Sequence, residues 1–418
     1  MGRNVWTRCR NADIIISEKK ISRGEKMKRK LLFVTEALWI GGIETALMNL
    51  LNRLDQRKYA LTCLVLRGEL DLKGRLPEGC RLLVADREEK GSFSTSYDFA
   101  WLYHLTEVPK APSRRHKALM WAVPVLRWME NRLYIRYVRE NLKQEQFDTC
   151  IIYSDRAAET AVRAVMADRF LLFYHRAAME TAWHDEIAYR RAEKIIAVSR
   201  KSAEQLRKYR SKYRDKVVAV QNLTEPETVR CLAAENRVLP DEGFHLVTCG
   251  RLAEQKGIDW AIRACRNLVA EGYEDIHWWI LGEGPLRDAL TVQIKEAGIG
   301  DHFHLLGAKE NPYPYVAAAN LYVQPSRAEN YSVAVLEAKA LCKPILATVP
   351  AAEEQIRSGE NGLLCEPDSE AIARGIRYLY THREEMAKFV RALENDDPEA
   401  ENRQIMDSLC RLFDGENG

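Results

Sequence analysis

The chain has 418 residues, 46 % hydrophobic and 29 % charged, with 63 Lys and Arg against 60 Asp and Glu. That length buries a sizeable core and has room for two or three domains. Ten cysteines are scattered with no Cys-x-x-Cys pair, which excludes a zinc module and a secreted disulfide framework and gives the chain a cytoplasmic reading.

Residues 1–26 are basic and aperiodic, and the opening residues lack the apolar core of a signal peptide. This segment reads as a disordered extension, with Met27 a candidate natural start. A first domain is expected over residues 27–225. Its strands fall at Leu31–Thr35, Leu61–Leu66, Arg81–Val84, Thr149–Tyr153, Phe170–Tyr174, Lys194–Val198 and Val217–Gln221, separated by helical runs. Charge is divided unequally: residues 1–230 hold 44 Lys and Arg against 29 Asp and Glu, and the remainder 19 against 31. A basic half favours an anionic partner.

The densest stretch, Lys110 to Lys143, sets Arg114, Arg115, Lys117, Arg127, Arg132, Arg136 and Arg139 among Trp121, Trp128, Tyr134 and Tyr137. Cations mixed with interfacial aromatics suit peripheral contact with an anionic membrane, here the inner face of the cytoplasmic membrane. A solvated helix pair with its aromatics turned to the core is the plainer alternative. The longest apolar run, Ala118 to Leu126, is broken by Pro124 and falls well short of the roughly 20 residues of a spanning helix. No nucleic-acid motif accompanies the basic stretch, so nucleic acid is not expected as a partner.

The hydrophilic residues 226–242 read as an interdomain linker. A second domain over 243–395 repeats the pattern, with strands at Phe244–Cys249, Ile276–Leu281, His302–Leu306, Leu321–Gln324, Pro344–Ala347 and Leu363–Cys365. Special residues stand where these strands end, which is where doubly wound sheets bind ligands. After the first comes Gly250-Arg251-Leu252-Ala253-Glu254-Gln255-Lys256-Gly257, whose two cations can neutralise a diphosphate, Arg as a planar fork and Lys as a mobile point charge. Gly282-Glu283-Gly284-Pro285 follows the second strand and Leu306-Gly307 closes the third. After the fourth, Glu329 and Glu337 lie eight residues apart, one at the strand mouth and one inside the next helix. Carboxylates accept from sugar hydroxyls, and the backbone N–H groups of Asn330, Tyr331, Ser332 and Val333, at the positive end of that helix, favour a phosphate. The ligand with both features is a sugar nucleotide.

The ordered set of motifs, with Asn361-Gly362-Leu363-Leu364 downstream and Gly41-Gly42-Ile43-Glu44 after the first strand, resembles retaining glycosyltransferases of the GT-B fold. It is similar to the bacterial group that builds capsular polysaccharide, exopolysaccharide and lipopolysaccharide, over roughly residues 30–380. The resemblance implies an α/β chain of two Rossmann-like doubly wound domains facing across a cleft, with residues 396–418 returning as a helix to the first domain. It implies an acceptor-side first domain and a donor-side second domain that binds a UDP- or GDP-linked sugar. The acceptor it implies is a glycan or polyprenyl-linked glycan. No metal and no cofactor are implied.

On that reading Arg251 and Lys256 stabilise the departing diphosphate in place of a metal, Glu329 orients the donor sugar and Glu337 holds the ribose. Gly41 and Gly42 admit the diphosphate close to backbone amides, and His175 faces the donor sugar. Gly282, Glu283, Leu306, Asn330, Tyr331 and Ser332 complete the donor site. No dedicated nucleophile is required, because the leaving phosphate oxygen helps to deprotonate the acceptor. The chain departs from the family pattern in Asn-Tyr-Ser after Glu329, in Cys342 before Lys343-Pro344, and in Ala351-Ala352, which leaves the sugar identity open. A nucleotide-sugar epimerase of the same fold and an inactive sugar-nucleotide-binding scaffold are the alternatives. A dehydrogenase is disfavoured because the first strand lacks Gly-x-Gly-x-x-Gly.

Overall fold

A computed structural model describes residues 27–68, 70–85, 132–176, 185–235 and 238–416. Continuous apolar runs mark the strands of the first sheet. It contains β1 (Arg29–Thr35), β2 (Tyr59–Val65), β3 (Arg81–Val84), β4 (Gln146–Ile152), β5 (Met166–Tyr174), β6 (Lys194–Ala197) and β7 (Val217–Ala219), all parallel in the order β3-β2-β1-β4-β5-β6-β7. Leu32, Val34, Cys150, Ile152 and Leu172 enter the core on one face, and Leu31, Phe33, Ile151, Leu171 and Phe173 enter it on the other. Parallel strands covered on both faces therefore read as near-continuous apolar runs.

The second sheet contains β8 (Phe244–Cys249), β9 (Ile276–Leu281), β10 (Phe303–Gly307), β11 (Leu321–Gln324), β12 (Ile345–Thr348) and β13 (Leu363–Cys365), also all parallel, in the order β10-β9-β8-β11-β12-β13. In each sheet the strand order reverses once, between β1 and β4 and between β8 and β11. Such reversals open a crevice at the carboxyl ends of the strands.

The helices that matter for the site are α1 (Gly42–Arg53), α2 (Arg200–Tyr209), α3 (Pro226–Ala233), α4 (Ile258–Ala270), α5 (Val333–Ala340) and α6 (Pro398–Asp414). Helix α3 lies within the expected linker. Its proline occupies the first turn, and Val229 and Leu232 are buried with Tyr313 and Ala340 of the second domain. The i, i+3 apolar pair was masked in the sequence by its polar neighbours.

Helix α6 crosses to the first sheet. Phe413 meets Phe33 edge to face at 5.9 Å, and its carbonyl accepts from Thr149 Oγ1 at 3.2 Å and from Arg169 at 3.0 Å. Arg53 grips Glu399 with two bonds of 2.8 and 2.7 Å. Phe413 is fully buried, so Phe413→Ala is expected to destabilise the protein by about 3–5 kcal/mol. A urea-unfolding midpoint equal to that of the wild type would show that this helix is not integral to the first domain.

Residues 86–131 lie outside the described residues, and with them Arg114, Arg115, Lys117, Trp121, Arg127 and Trp128 of the basic stretch. Where the stretch is described, Tyr134 and Tyr137 pack on the first-domain core, and Tyr134 Oη donates to the Leu66 carbonyl at 2.5 Å. These two rings follow the plainer alternative, not the interfacial one. Among the described residues no helix is long and apolar enough to cross a membrane.

Candidate active site

The crevice of the second domain is built by two loops joined to each other. After β8 a short 3-10 turn, Glu254–Lys256, ends at Gly257, whose φ of 64° is left-handed. A Cβ there would stand 2.0 Å from the Pro325 carbonyl oxygen, so only glycine permits this approach. After β11, the Arg327 N–H donates to the Gln255 carbonyl at 2.7 Å. The Arg327 guanidinium forms two 2.7 Å bonds to Asp259 while lying 4.0 Å over Trp260.

This joint places Lys256 opposite Glu329, at 2.6 Å from Nζ to Oε1. Ser326 Oγ donates to the same oxygen at 2.7 Å and Gln324 Nε2 at 3.2 Å. No described residue donates to Oε2. The carboxylate is thus fixed on one side, with the other left for hydroxyl donors. Gln324 and Ser326, both fully buried, were not singled out from sequence. The available signal was two polar residues continuing an apolar strand into its ligand-binding end.

Glu337 projects from α5 and accepts from the Tyr313 hydroxyl at 2.7 Å. Burial pushes its carboxyl above the ordinary range, against the opposing effects of that hydroxyl and of the Arg75 charge from the first domain. Arg251 is exposed at the mouth of the crevice, and its charge reaches Glu44 of the first domain.

Other expected donor contacts are differently employed. Gly282 closes the loops, donating to the Gly307 carbonyl at 2.9 Å, and a Cβ on it would stand 1.9 Å from the Gly250 oxygen. Glu283 is exposed and paired with Arg287 at 2.7 Å, and Leu306 packs against the second-domain core. The expected amide cradle at the start of α5 is corrected in part, because Ser332 N–H donates to Gln355 Oε1 at 2.9 Å and its hydroxyl caps the helix.

Asn330 and Tyr331, expected at the donor site, also make contacts between the domains. Asn330 Nδ2 donates to the Tyr174 carbonyl at 3.2 Å, Ser199 Oγ donates to Asn330 Oδ1 at 2.6 Å, and Asn222 donates to the Tyr331 carbonyl at 3.2 Å. Beside them Glu354 accepts from the N–H groups of Arg200 and Lys201, at 2.9 and 2.8 Å, where α2 begins.

On the first domain Gly42 opens α1, with nothing within 4 Å of an added Cβ, whereas Gly41 is filled by Glu44 Oε2 at 2.6 Å from that point. The close approach expected at both glycines is therefore open at Gly42 alone. His175 follows β5, its ring 4.8 Å from that of Tyr153 and stacked at 5.8 Å on Phe173. Its Nε2 is buried without a partner among the described residues. Burial lowers its pKa to about 4, with Asp155 opposing weakly.

The unfolded imidazole, near 6.5, binds its proton first as pH falls. The His175 contribution to stability is therefore complete above about pH 6.5 and declines toward pH 4, by about 1.4 kcal/mol per unit. His175→Phe keeps the stack and is expected to flatten this acid limb in urea unfolding. Equal slopes for the two proteins between neutral and acid pH would remove the assignment.

Residues 40–228 match the family model described as Glycosyltransferase Family 4, and residues 233–396 the model described as Glycosyl transferases group 1. Both domains are glycosyltransferase domains. The chain is 31% identical over 196 residues to the N-acetylgalactosamine-N,N'-diacetylbacillosaminyl-diphospho-undecaprenol 4-alpha-N-acetylgalactosaminyltransferase of Campylobacter jejuni, covering 46% of this chain and 52% of that protein. It is 28% identical over 156 residues to the lipopolysaccharide core biosynthesis glycosyltransferase LpsE of Rhizobium meliloti, covering 36% and 44%. The chain thus spans about half the length of the curated relatives it matches. In three dimensions it resembles HepE of Anabaena, solved in complex with UDP, with a TM-score of 0.63 at 16% identity, covering 91% of this chain and 99% of that one. The two facing parallel-sheet domains are the GT-B fold.

Proposed function

We propose that the chain is a retaining glycosyltransferase that moves a hexose from a UDP- or GDP-linked donor to a glycan or polyprenyl-linked acceptor in surface polysaccharide synthesis. The observation that carries the reading is Glu329, held on one oxygen by Lys256, Ser326 and Gln324 with its other oxygen open. In this role Oε2 accepts from donor-sugar hydroxyls, and Glu337 accepts from the ribose. Arg251 and Lys256 offset the charge that grows on the leaving diphosphate. The curated relatives with lipopolysaccharide and diphospho-undecaprenol names support the acceptor class, and the UDP complex of HepE supports the nucleotide. Among the described residues no cluster of His, Cys, Asp and Glu has metal-holding geometry, and the proposed transfer assigns charge stabilisation to the two cations.

The test is a screen of UDP- and GDP-hexoses for released diphosphate, with the anomeric configuration of any product read by NMR. An inverted product would overturn retention, an epimerised free donor would mark an epimerase, and binding without turnover of any donor would mark a scaffold.

A membrane-facing acceptor side belongs to the same proposal and rests on the sequence of residues 110–143. Each exposed cation near an anionic surface contributes about 1 kcal/mol. Reversing Arg114, Arg115 and Lys117 to Glu is expected to abolish flotation with anionic vesicles at low salt while donor hydrolysis persists. A wild type that stays unbound would make the acceptor a soluble one.

A further inference from the structure

The first turn of an α-helix leaves N–H groups without intrahelical partners. In α2 the Ser199 cap takes one of them, the Ser202 N–H, at 3.0 Å. The N–H groups of Arg200 and Lys201 are taken by the other domain instead, by Oε2 and Oε1 of Glu354 at 2.9 and 2.8 Å. A carboxylate at this end of a helix also meets the positive pole of its dipole. Both bonds are charge-assisted, the stronger class of hydrogen bond.

Glu354 belongs to residues 348–355 of the second domain, which lie behind the loop that carries Glu329. Thr348 Oγ1 donates to the Ser326 carbonyl at 2.5 Å, and the Glu329 N–H donates to the Pro350 carbonyl at 3.2 Å. Gln355, next in the chain to Glu354, accepts from the Ser332 N–H at 2.9 Å and donates to the Ser332 carbonyl at 2.8 Å. Thr348 and Gln355 are both buried. Between them a single helical turn, Val349–Ala352, packs Ala351 and Ala352 into the second-domain core. These alanines, a departure from the family pattern, restrict the backbone more than glycines would. The segment is a stiff link from Glu354 to the loop.

The start of α2 also holds that loop directly. Ser199 Oγ donates to Asn330 Oδ1 at 2.6 Å, and Asn330 Nδ2 donates to the Tyr174 carbonyl at 3.2 Å. Within the second domain Lys256, Ser326 and Gln324 fix Oε1 of Glu329. The backbone that aims its Oε2 is fixed by Asn330 beside it and by the link behind it, and both end on the first domain.

We propose that Glu354 is a positioning residue, which by seating on the start of α2 ties the contact between the domains to the aim of Glu329. The link stands on these bonds alone, and its consequence for sugar transfer rests on the glycosyl-transfer reading above. Where the domains part at this contact, Asn330 and Glu354 lose their first-domain partners together, and the loop loses two of its holds. The donor sugar is then oriented for reaction only while the two domains are seated against each other.

The experiment uses the full chain in three variants. Glu354→Ala removes both bonds from the second-domain side. Arg200→Pro removes one of them from the first-domain side, because proline has no N–H and suits the first position of a helix. Ser199, with φ of −145° and ψ of 158°, already has the extended backbone that precedes a proline. The third is the double variant. Amide exchange across residues 326–333, read by mass spectrometry, is expected to quicken about 10-fold or more in Glu354→Ala, the scale of losing a hydrogen bond to a charged group, and to quicken in Arg200→Pro as well. Faster exchange confined to the start of α2 overturns the link. With a donor that the wild type turns over, kcat is expected to fall about 10-fold in Glu354→Ala, with the double variant little slower than the worse single one. The nucleoside diphosphate is expected to bind all of them in calorimetry as it binds the wild type. An unchanged kcat beside a loosened loop overturns the positioning role. A wild type that consumes no donor overturns the transfer reading, and the exchange measurement still decides the link.

Discussion

Replacing Lys256 with alanine is expected to lower the turnover of sugar transfer by roughly 100-fold or more, the scale of losing one preorganised transition-state donor. Two effects add in this variant. The diphosphate loses a point charge, and Glu329 loses the cation 2.6 Å from Oε1 while still receiving Ser326 and Gln324. A carboxylate whose side chain is only 10% exposed is poorly solvated without that cation, so it turns toward water, and the sugar-facing oxygen loses its position. Lys256→Ala and Glu329→Gln are therefore expected to be strongly non-additive in kcat, with the double variant little slower than the worse single one. Additive losses, with all variants folded by circular dichroism, would mean that the pair does not act as a unit. Unchanged turnover in Lys256→Ala would remove the diphosphate role altogether.

Gly257→Ala is expected to be the most damaging small substitution in the second domain. Its left-handed φ of 64° alone costs a side chain about 1–2 kcal/mol, and the new Cβ would meet the Pro325 carbonyl oxygen at 2.0 Å. That oxygen is backbone and begins the loop carrying Ser326 and Glu329, so it cannot yield without moving them. A total loss of about 3 kcal/mol or more follows, together with loss of transfer. Gly298 provides the control, with φ of 68° and nothing within 4 Å of an added Cβ. Gly298→Ala is expected to cost only the conformational part, and the difference between the two unfolding free energies measures the clash. Equal costs would show that the two loops are not in contact.

Much of the architecture was legible because strands covered on both faces leave an unmistakable apolar run. Leu31 to Thr35, Phe244 to Cys249 and Leu321 to Gln324 were each read within two residues of their observed limits. Segments that combine a short apolar face with many charges were less legible, as at Pro226–Ala233, where Pro226, Val229 and Leu232 are the buried residues. The site was legible as positions rather than as contacts. Glu329, Arg251 and Lys256 stood out as charged residues where strands end, and Glu337 by its place eight residues after Glu329 in the ordered set of motifs. The partners Ser326 and Gln324, the Gln355 contact that takes the Ser332 amide, and the fold-back of Glu44 onto Gly41 left no such mark, since each depends on the path of a different loop.

By itself the sequence determined the strand runs of two α/β domains, the loops at their ends, and the charged residues those loops carry, since burial and turn chemistry are written locally in periodicity and in glycines, while the doubly wound arrangement followed from the family resemblance of the ordered motifs. Tertiary structure decided what those charges do. Lys256 and Glu329 are 73 residues apart in the chain and 2.6 Å apart in space because β11 lies beside β8 in the sheet. Asn330 and Tyr331 became domain contacts because Ser199, Tyr174 and Asn222 of the first domain reach them. Pairings of this kind follow from which strand ends converge, and strand order is set by the packing of whole layers, which no local pattern encodes.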